Sequence, residues 1–313
     1  NGRSLQGFVS PRLWSDITHF EGNANAFRLL THRFRGRRPG GFVMTYSTLA
    51  SIVKYPFSSL CASRHGKFGF FRDEQEYFRR VADDLGMICL DPSADTLRYV
   101  RHPLVYLTEA ADDICYEIMD IEDAHKLKLL SFDETVDLLL GYFDDAARAR
   151  IFQRIKDEGV DDENEKIVYM RACAVGHLEQ ACVRTFVDNE EAILNGTFEG
   201  SLVSHLPEKS RAAYRHCSEV SVRKIYQSKT VTDVELSGYK IMETLMDAFV
   251  GAAVHPETFH SKQLIRRVSS QYDIHSDNLE TRIMAVADYI SGMTDVYALD
   301  IYQKINGISL PIV

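Results

Sequence analysis

The chain has 313 residues, of which 45% are apolar and 26% charged, proportions typical of a globular protein with a substantial core. Its formal net charge of −9 argues against a protein that binds nucleic acid over most of its surface, although a local basic patch remains compatible with it. No run approaches the roughly 18 apolar residues of a membrane span, and the six cysteines include no CxxC pair, so we expect a cytoplasmic protein with reduced thiols.

Apolar residues recur at helical spacing along nearly the whole chain, and this pattern predicts an all-α fold. The predicted helices are 13–33, 45–54, 73–85, 103–124, 133–141, 144–157, 163–195, 207–228, 232–254, 261–270 and 278–306. Only 67–71 and 88–100 are compatible with a short pair of strands. Helix starts are indicated by Thr45, by Pro103 and by two capping boxes, Ser131 to Glu134 and Thr232 to Glu235.

The first predicted helix contains a histidine and a glutamate beside a glycine, His19, Glu21 and Gly22. A histidine here could act as a general acid or contact a phosphate, because its charge changes near neutral pH. The alternative is a partly buried histidine whose hydrogen bonds are satisfied within the fold, and the residues alone favour that alternative.

A basic, glycine-rich stretch, 32–41, follows this helix and is predicted to be a loop. Its arginines are Arg33, Arg35, Arg37 and Arg38. They could bind a nucleic acid or an effector nucleotide, although basic loops are more often solvated surface.

The next helix ends with Lys54 and Tyr55, directly before a proline. A lysine suits a phosphate and an aromatic ring suits a base or sugar, so the pair is compatible with a nucleotide site. Two residues of these types have little specificity by themselves.

The predicted helix 103–124 combines an apolar surface with an acidic stripe. Asp112, Tyr116 and Asp120 are spaced four residues apart and therefore lie on one face. Burying such carboxylates is unfavourable unless a cation accompanies them, and a divalent metal, an arginine or a metal carried by a phosphate would remove that cost. A solvated acidic face is the alternative, and the pattern alone favours it.

Late in helix 207–228 the chain reads Arg223-Lys224-Ile225-Tyr226. Arg223 could contact a phosphate. Basic residues are also favourable near the C-terminus of any helix, so a purely structural role is the alternative.

Taken together, these segments resemble bacterial deoxyguanosinetriphosphate triphosphohydrolases, a family of the HD superfamily. The resemblance follows the chain through HFEGNANAFRLLTH, TYSTLASIVKYP, KFGFF, RHPLVYLTEAADDICYEIMDIEDA, RKIYQSKTVTDVELSGYKIM and DYISGMTDVYALDIYQKI. The block EAADDICYEIMDIEDA is the most specific of them. The resemblance implies an HD-domain-like helical bundle, with 1–125 belonging to the catalytic core and 126–313 forming a helical C-terminal region that completes the core and makes oligomer contacts.

In this family the metal is held by a histidine, a later His-Asp pair and a distant aspartate. The distant aspartate is followed at +4 by a tyrosine and at +8 by an aspartate, which implies that Asp112 is the metal ligand rather than Asp113. The sequence contains eleven histidines but no His-Asp dipeptide, and it begins with Asn1 rather than Met. We therefore expect a fragment or processed product that retains one of four ligands for a divalent metal such as Mg²⁺ or Mn²⁺, and that hydrolyses its substrate poorly by itself.

The reaction implied by the resemblance is hydrolysis of dGTP, or another deoxynucleoside triphosphate, to the deoxynucleoside and inorganic triphosphate. Lys54, Tyr55 and Arg223 would bind the nucleotide, and His19 would contact phosphate or assist proton transfer. Tyr116 would pack on the deoxyribose and Asp120 would bind its 3′-hydroxyl. A homo-oligomer is expected, and single-stranded DNA or a regulatory nucleotide is a further partner in some members. The alternatives are a non-catalytic helical scaffold that only oligomerises, and a nucleic-acid or effector-nucleotide module built on the Arg33–Arg38 loop.

Overall fold

The computed structural model describes residues 5–62 and 66–308, so Asn1 lies outside the described part. The described residues form fourteen α-helices: α1 (Pro11–Thr18), α2 (Gly22–Thr31), α3 (Tyr46–Ile52), α4 (Gln75–Asp84), α5 (Pro103–Lys126), α6 (Phe132–Leu140), α7 (Asp145–Asp157), α8 (Glu163–Asp188), α9 (Glu190–Leu194), α10 (Glu208–Val220), α11 (Lys229–Val254), α12 (Phe259–Ile265), α13 (Leu279–Ser291) and α14 (Asp295–Ile305). The predicted all-α fold is confirmed. Within the described ranges, no helix is long and apolar enough to cross a bilayer.

A single small hairpin accompanies these helices in the described part of the chain. Strands β1 (Cys89–Asp91) and β2 (Arg98–Tyr99) pair antiparallel, with Cys89 opposite Tyr99. The possible short hairpin is thus present, but both of its strands lie within 88–100. The stretch 67–71 contributes only an isolated bridge, between Phe70 and Ser58.

Most of the predicted helix starts carry the expected caps. Thr45 accepts a hydrogen bond from the backbone of α3, Pro103 occupies the first turn of α5, and Ser131 with Glu134 forms a complete capping box at α6. The predicted box from Thr232 to Glu235 is wrong. Helix α11 already begins at Lys229, and the Thr232 hydroxyl donates to the carbonyl of Ser228 one turn earlier.

Four of the long predicted helices are interrupted or end differently. The predicted helix 13–33 is two helices, because His19 caps the end of α1 and Glu21 caps the start of α2. Helices α8 and α9 meet at Asn189, and α13 ends at Gly292 before Thr294 caps α14. The predicted helix 207–228 changes after α10 into a π-helix, Ser221–Tyr226.

The described residues divide into two compact units. The first unit comes from Asn1–Val100 and Asp233–Val313, and the second is Arg101–Thr232. These are compact bodies of the fold, whereas the predicted division into 1–125 and 126–313 concerned the catalytic core, so that division stays a prediction.

A buried ion cluster joins the two chain segments of the first unit. The guanidinium of Arg28 donates to both carboxylate oxygens of Asp288, over 2.7 and 2.8 Å, and to Glu74 over 2.6 Å. All three side chains are almost fully buried. Because a buried charge is costly without a partner, this cluster fixes α2 against α13 and the segment before α4.

The second unit is built around α5, which packs on α8 and α6. Its core is apolar and continuous from α5 through the π-helix; among its largest buried members are Ile118, Ile121, Leu139, Tyr142, Met170 and Leu178. Helix α5 thus has one face fixed in this core, and its other face is available for the acidic stripe.

Candidate functional site

Helix α5 separates its apolar and acidic residues by face. Ile114, Ile118 and Ile121 are buried in the core of the second unit. On the other face Asp112 is exposed, Tyr116 is 66% exposed and Asp120 is half-buried. The four-residue spacing therefore places the three stripe residues on one face as expected, and Asp120 is the most buried of them.

The half-buried end of the stripe has a partner that holds it in place. The hydroxyl of Tyr226 donates to Oδ2 of Asp120 over 2.5 Å. A bond to a carboxylate is stronger than one between neutral groups, so it fixes the rotamer of Asp120. Burial, with this bond and the charge of Asp120, raises the pKa of Tyr226, which keeps its hydroxyl protonated and donating.

Tyr226 is the last residue of the π-helix Ser221–Tyr226, which is itself bonded to α5. The Ser221 hydroxyl donates to Oε1 of Glu117 over 2.9 Å, and both residues are buried. Burial raises the pKa of Glu117, and the charge of Asp120 adds to the effect. The segment is therefore fixed to α5 at its first residue through Glu117 and at its last through Asp120.

Two further contacts hold the same region. Lys224 forms an ion pair with Glu134 of the α6 capping box. The hydroxyl of Tyr214, on α10, donates to the backbone carbonyl of Asp113 over 3.1 Å. Arg223 lies on the π-helix and is exposed, so its side chain remains accessible to a ligand. π-Helices are rare and are frequently found at functional sites, where the extra residue redirects side chains.

The remaining predicted site residues belong to the first unit. His19 is exposed at the end of α1, with Nδ1 3.1 Å from the carbonyl of Ser15. Lys54 and Tyr55 follow α3 and are half-buried, and the Lys54 ammonium lies 5.9 Å from the centre of the Tyr55 ring. Since Asp112 belongs to the second unit, the convergence of Lys54 and His19 on it stays a prediction.

A divalent metal needs several ligands in fixed geometry. Among the described residues there is no group of three His, Cys, Asp or Glu side chains that could hold one. Asp112 is thus not part of a complete metal site made by these residues alone.

The comparison with known proteins decides the family. Over 319 aligned residues the chain is 35% identical to the deoxyguanosinetriphosphate triphosphohydrolase-like protein of Pseudomonas aeruginosa (strain LESB58), covering 99% of this chain and 70% of that protein. The chain belongs to the deoxyguanosinetriphosphate triphosphohydrolase family. The like-named protein of Synechocystis is 32% identical over 96% of this chain and 68% of its own length.

Two other findings agree with membership of the triphosphohydrolase family. The deoxyguanosinetriphosphate triphosphohydrolase of Yersinia pestis (strain Pestoides F) is 27% identical over 97% of this chain and 67% of its own length. A family model described as a phosphohydrolase-associated domain matches residues 204–304.

Sequence reasoning missed the residues of this triphosphohydrolase chain that support Asp120. The run Arg223-Lys224-Ile225-Tyr226 was singled out for its basic residues, whereas the tyrosine makes the direct contact with α5. In a regular α-helix the Tyr226 side chain would have a different direction, and no sequence pattern predicts a π-helix.

The basic loop makes several contacts within the first unit. Arg35 forms an ion pair of 2.6 Å with Asp273, and the Arg37 guanidinium lies 5.0 Å from the centre of the Phe42 ring. The Arg33 guanidinium also donates to the carbonyl of Arg37 over 3.4 Å, so three of the four arginines are engaged by the protein itself. Nothing in the comparisons favours the nucleic-acid alternative.

Proposed function

We propose that this chain serves the hydrolysis of dGTP, or another deoxynucleoside triphosphate, to the deoxynucleoside and inorganic triphosphate. The observation that carries the proposal is the stripe Asp112, Tyr116 and Asp120 on α5, with Asp120 fixed by Tyr226, in a chain of the triphosphohydrolase family. The names of the relatives support this reaction class.

Asp120 is suited to bind the sugar. As a carboxylate it accepts hydrogen bonds only, and Oδ2 already receives the Tyr226 hydroxyl. Its other oxygen remains for the deoxyribose 3′-hydroxyl. Tyr116, exposed one turn earlier, would lay its ring against carbon 2′. An additional 2′-hydroxyl would then meet the ring, which disfavours ribonucleotides.

The triphosphate requires cations. Lys54 and Arg223 are proposed to contact its oxygens, and Tyr55 to pack beside the nucleotide. His19 is exposed, which suits contact with a phosphate or proton transfer to the leaving group.

The metal is proposed to involve Asp112. A divalent ion in this reaction class polarises the α-phosphate and helps to ionise water. The described residues do not make up a full ligand set for it, so Asp112 is proposed as one ligand and the family's His…His-Asp run would have to supply the others.

The bond changes define the products. A water oxygen forms a new bond to the α-phosphorus, and the bond from that phosphorus to the sugar 5′-oxygen breaks. The 5′-oxygen takes up a proton to become the hydroxyl of deoxyguanosine, and the other water proton is released. The water oxygen ends in the triphosphate.

This reaction is tested by the fate of labelled water. The protein is incubated with dGTP and Mn²⁺ in water enriched in ¹⁸O, and the products are separated and weighed by mass spectrometry. The proposal expects deoxyguanosine without label and triphosphate with one labelled oxygen. Release of pyrophosphate or orthophosphate as the primary product would contradict it. With GTP the rate should fall at least about tenfold, and Tyr116→Ala should reduce that preference.

A further inference from the structure

The second unit contains a cavity of about 650 Å³ to which α5 contributes no lining residue. It lies where α6 ends and α7 begins, beside α8 and the start of α10. Pockets for small ligands typically measure about 300–1,000 Å³, so the volume suits a molecule of nucleotide size. Among its lining residues are Phe143, His177, Arg184, Lys209 and Ser210.

Two cations line this cavity without a protein partner. Arg184 on α8 and Lys209 on α10 form no ion pair or hydrogen bond with any described residue. Of the two lining carboxylates, Asp188 follows Arg184 by one helical turn but forms no ion pair with it in the described structure. Asp144 is engaged as the cap of α7, accepting from the Ala147 backbone over 2.7 Å. The cations are thus available to an anionic ligand.

The floor of the cavity is aromatic and partly buried. The His177 ring contacts Phe143 edge-on, with centres 5.2 Å apart, and Tyr142 lies 6.1 Å away. Nε2 of His177 is 2.8 Å from the hydroxyl of the buried Ser210. Burial, followed by the charges of Arg184 and Lys209, lowers the pKa of His177. Arg184 and Lys209 line the same cavity as this imidazole, so both cations face the space beside it.

We propose that this cavity binds a small aromatic phosphomonoester, with its phosphate on Arg184 and Lys209 and its ring on the floor formed by Phe143 and His177. Arg and Lys are the side chains that bind phosphate best, and an aromatic floor suits a planar ring. The proposal is independent of the reaction proposed above, because the stripe residues Asp112, Tyr116 and Asp120 do not line the cavity.

Ligand binding is detected through a change in the pKa of His177. The imidazole pKa is measured by NMR on the full chain carrying ¹³Cε1-labelled histidine, with the signal assigned by its loss in His177→Gln. Titrations use inorganic phosphate and GMP, each at constant ionic strength. The bound dianion should raise the His177 pKa by about 0.5 pH unit or more. GMP should act at concentrations at least about tenfold lower than phosphate.

Matched variants separate binding from general charge effects. Arg184→Gln and Lys209→Gln should raise the His177 pKa of the free protein and remove at least half of the phosphate-induced shift. Lys156→Gln, which removes the same charge from an exposed site on α7 outside the cavity, should keep the full response. All three replaced side chains are exposed, and an unchanged melting temperature checks the fold.

Three results would overturn the proposal. One is a His177 pKa that does not respond to either compound at millimolar concentration. Another is an equal response in wild type and the two cavity variants, because that would indicate screening rather than binding. The third is GMP acting no more strongly than inorganic phosphate, because the aromatic floor would then contribute nothing.

Discussion

The hydrogen bond from Tyr226 to Asp120 is proposed to hold Asp120 in the position that binds the sugar 3′-hydroxyl. Tyr226→Phe removes the hydroxyl and keeps the ring. A hydrogen bond to a charged group contributes about 1.5–3 kcal/mol. Tyr226 is 42% exposed, so we take the lower end of that range, about 1.5 kcal/mol, which corresponds to about a tenfold change in an equilibrium constant. Without the hydroxyl, Asp120 is free to adopt other rotamers and should bind a 3′-hydroxyl less well.

Equilibrium binding is the suitable assay, because the chain alone is expected to hydrolyse dGTP slowly. Calorimetric titrations compare dGTP with 2′,3′-dideoxyGTP, which lacks only the 3′-hydroxyl. Wild type should prefer dGTP by at least about tenfold. Tyr226→Phe should lose most of this preference, because it should weaken the binding of dGTP and have little effect on the binding of the dideoxy compound.

The control is Tyr239→Phe, since Tyr239 is 78% exposed on α11 and the same hydroxyl is removed. Its preference for dGTP should equal that of wild type. If Tyr226→Phe kept the full preference, Tyr226 would not position Asp120 for the sugar. If wild type itself did not distinguish the two nucleotides, the role of Asp120 would be wrong.

Three further predictions concern the framework around the site. Ser221→Ala removes one of two hydroxyl donors to the buried Glu117, the other being Ser218, and should lower the free energy of unfolding by about 1 kcal/mol in urea titrations. Arg28→Ala leaves the buried carboxylate of Asp288 unpaired and should cost about 3–5 kcal/mol in the same measurement. Burial raises the pKa of Asp16 to about 6, because the effect of desolvation is larger than the opposing effect of the Arg12 charge. The folded state therefore holds this proton more tightly than the unfolded chain, and stability should fall as pH rises from about 4 to 6, by up to about 3 kcal/mol relative to Asp16→Asn.

Each of these has a specific control. For Ser221, the control is the double variant Ser221→Ala with Glu117→Gln. Its free energy of unfolding should fall by less than the sum of the decreases in the two single variants, and strict additivity would mean that the pair does not interact. For Arg28, the control is the exposed ion pair of Arg35 with Asp273. Arg35→Ala should lower the free energy of unfolding by about 0–1 kcal/mol. An equal decrease in Arg28→Ala and Arg35→Ala would show that burial does not strengthen the Arg28 pair. For Asp16, a stability difference from Asp16→Asn that does not vary with pH would show that its folded pKa is ordinary.

Local rules predicted the elements whose ends depend on neighbouring residues. Thr45, Pro103 and Ser131 mark real helix starts, since capping is a short-range interaction. The same rule failed at Thr232, where three further residues, from Lys229 onward, join the helix. The break between α1 and α2, at His19 to Glu21, was not predicted, because apolar residues continue at helical spacing across it.

Long-range contacts could not be predicted in this way. The pairing of Arg28 with Asp288 joins residues 260 positions apart. The spacing of Asp112, Tyr116 and Asp120 did predict a common face, because helix geometry alone decides it. Asp120 is held by Tyr226, which lies on a π-helix and is 106 positions away in the sequence, so this contact could not be predicted from local spacing.

The most direct test of the account is the release of triphosphate from dGTP when Asp112 is changed. The chain joined to an N-terminal segment that carries the family's His…His-Asp run should release deoxyguanosine and triphosphate in equal amounts, only with a divalent cation. The chain alone should be slower by at least about 10²-fold. In the joined protein Asp112→Ala should abolish release, whereas Asp123→Ala, an exposed carboxylate on the same helix, should retain it. Full activity in Asp112→Ala, or an equal rate from the chain alone, would contradict the account.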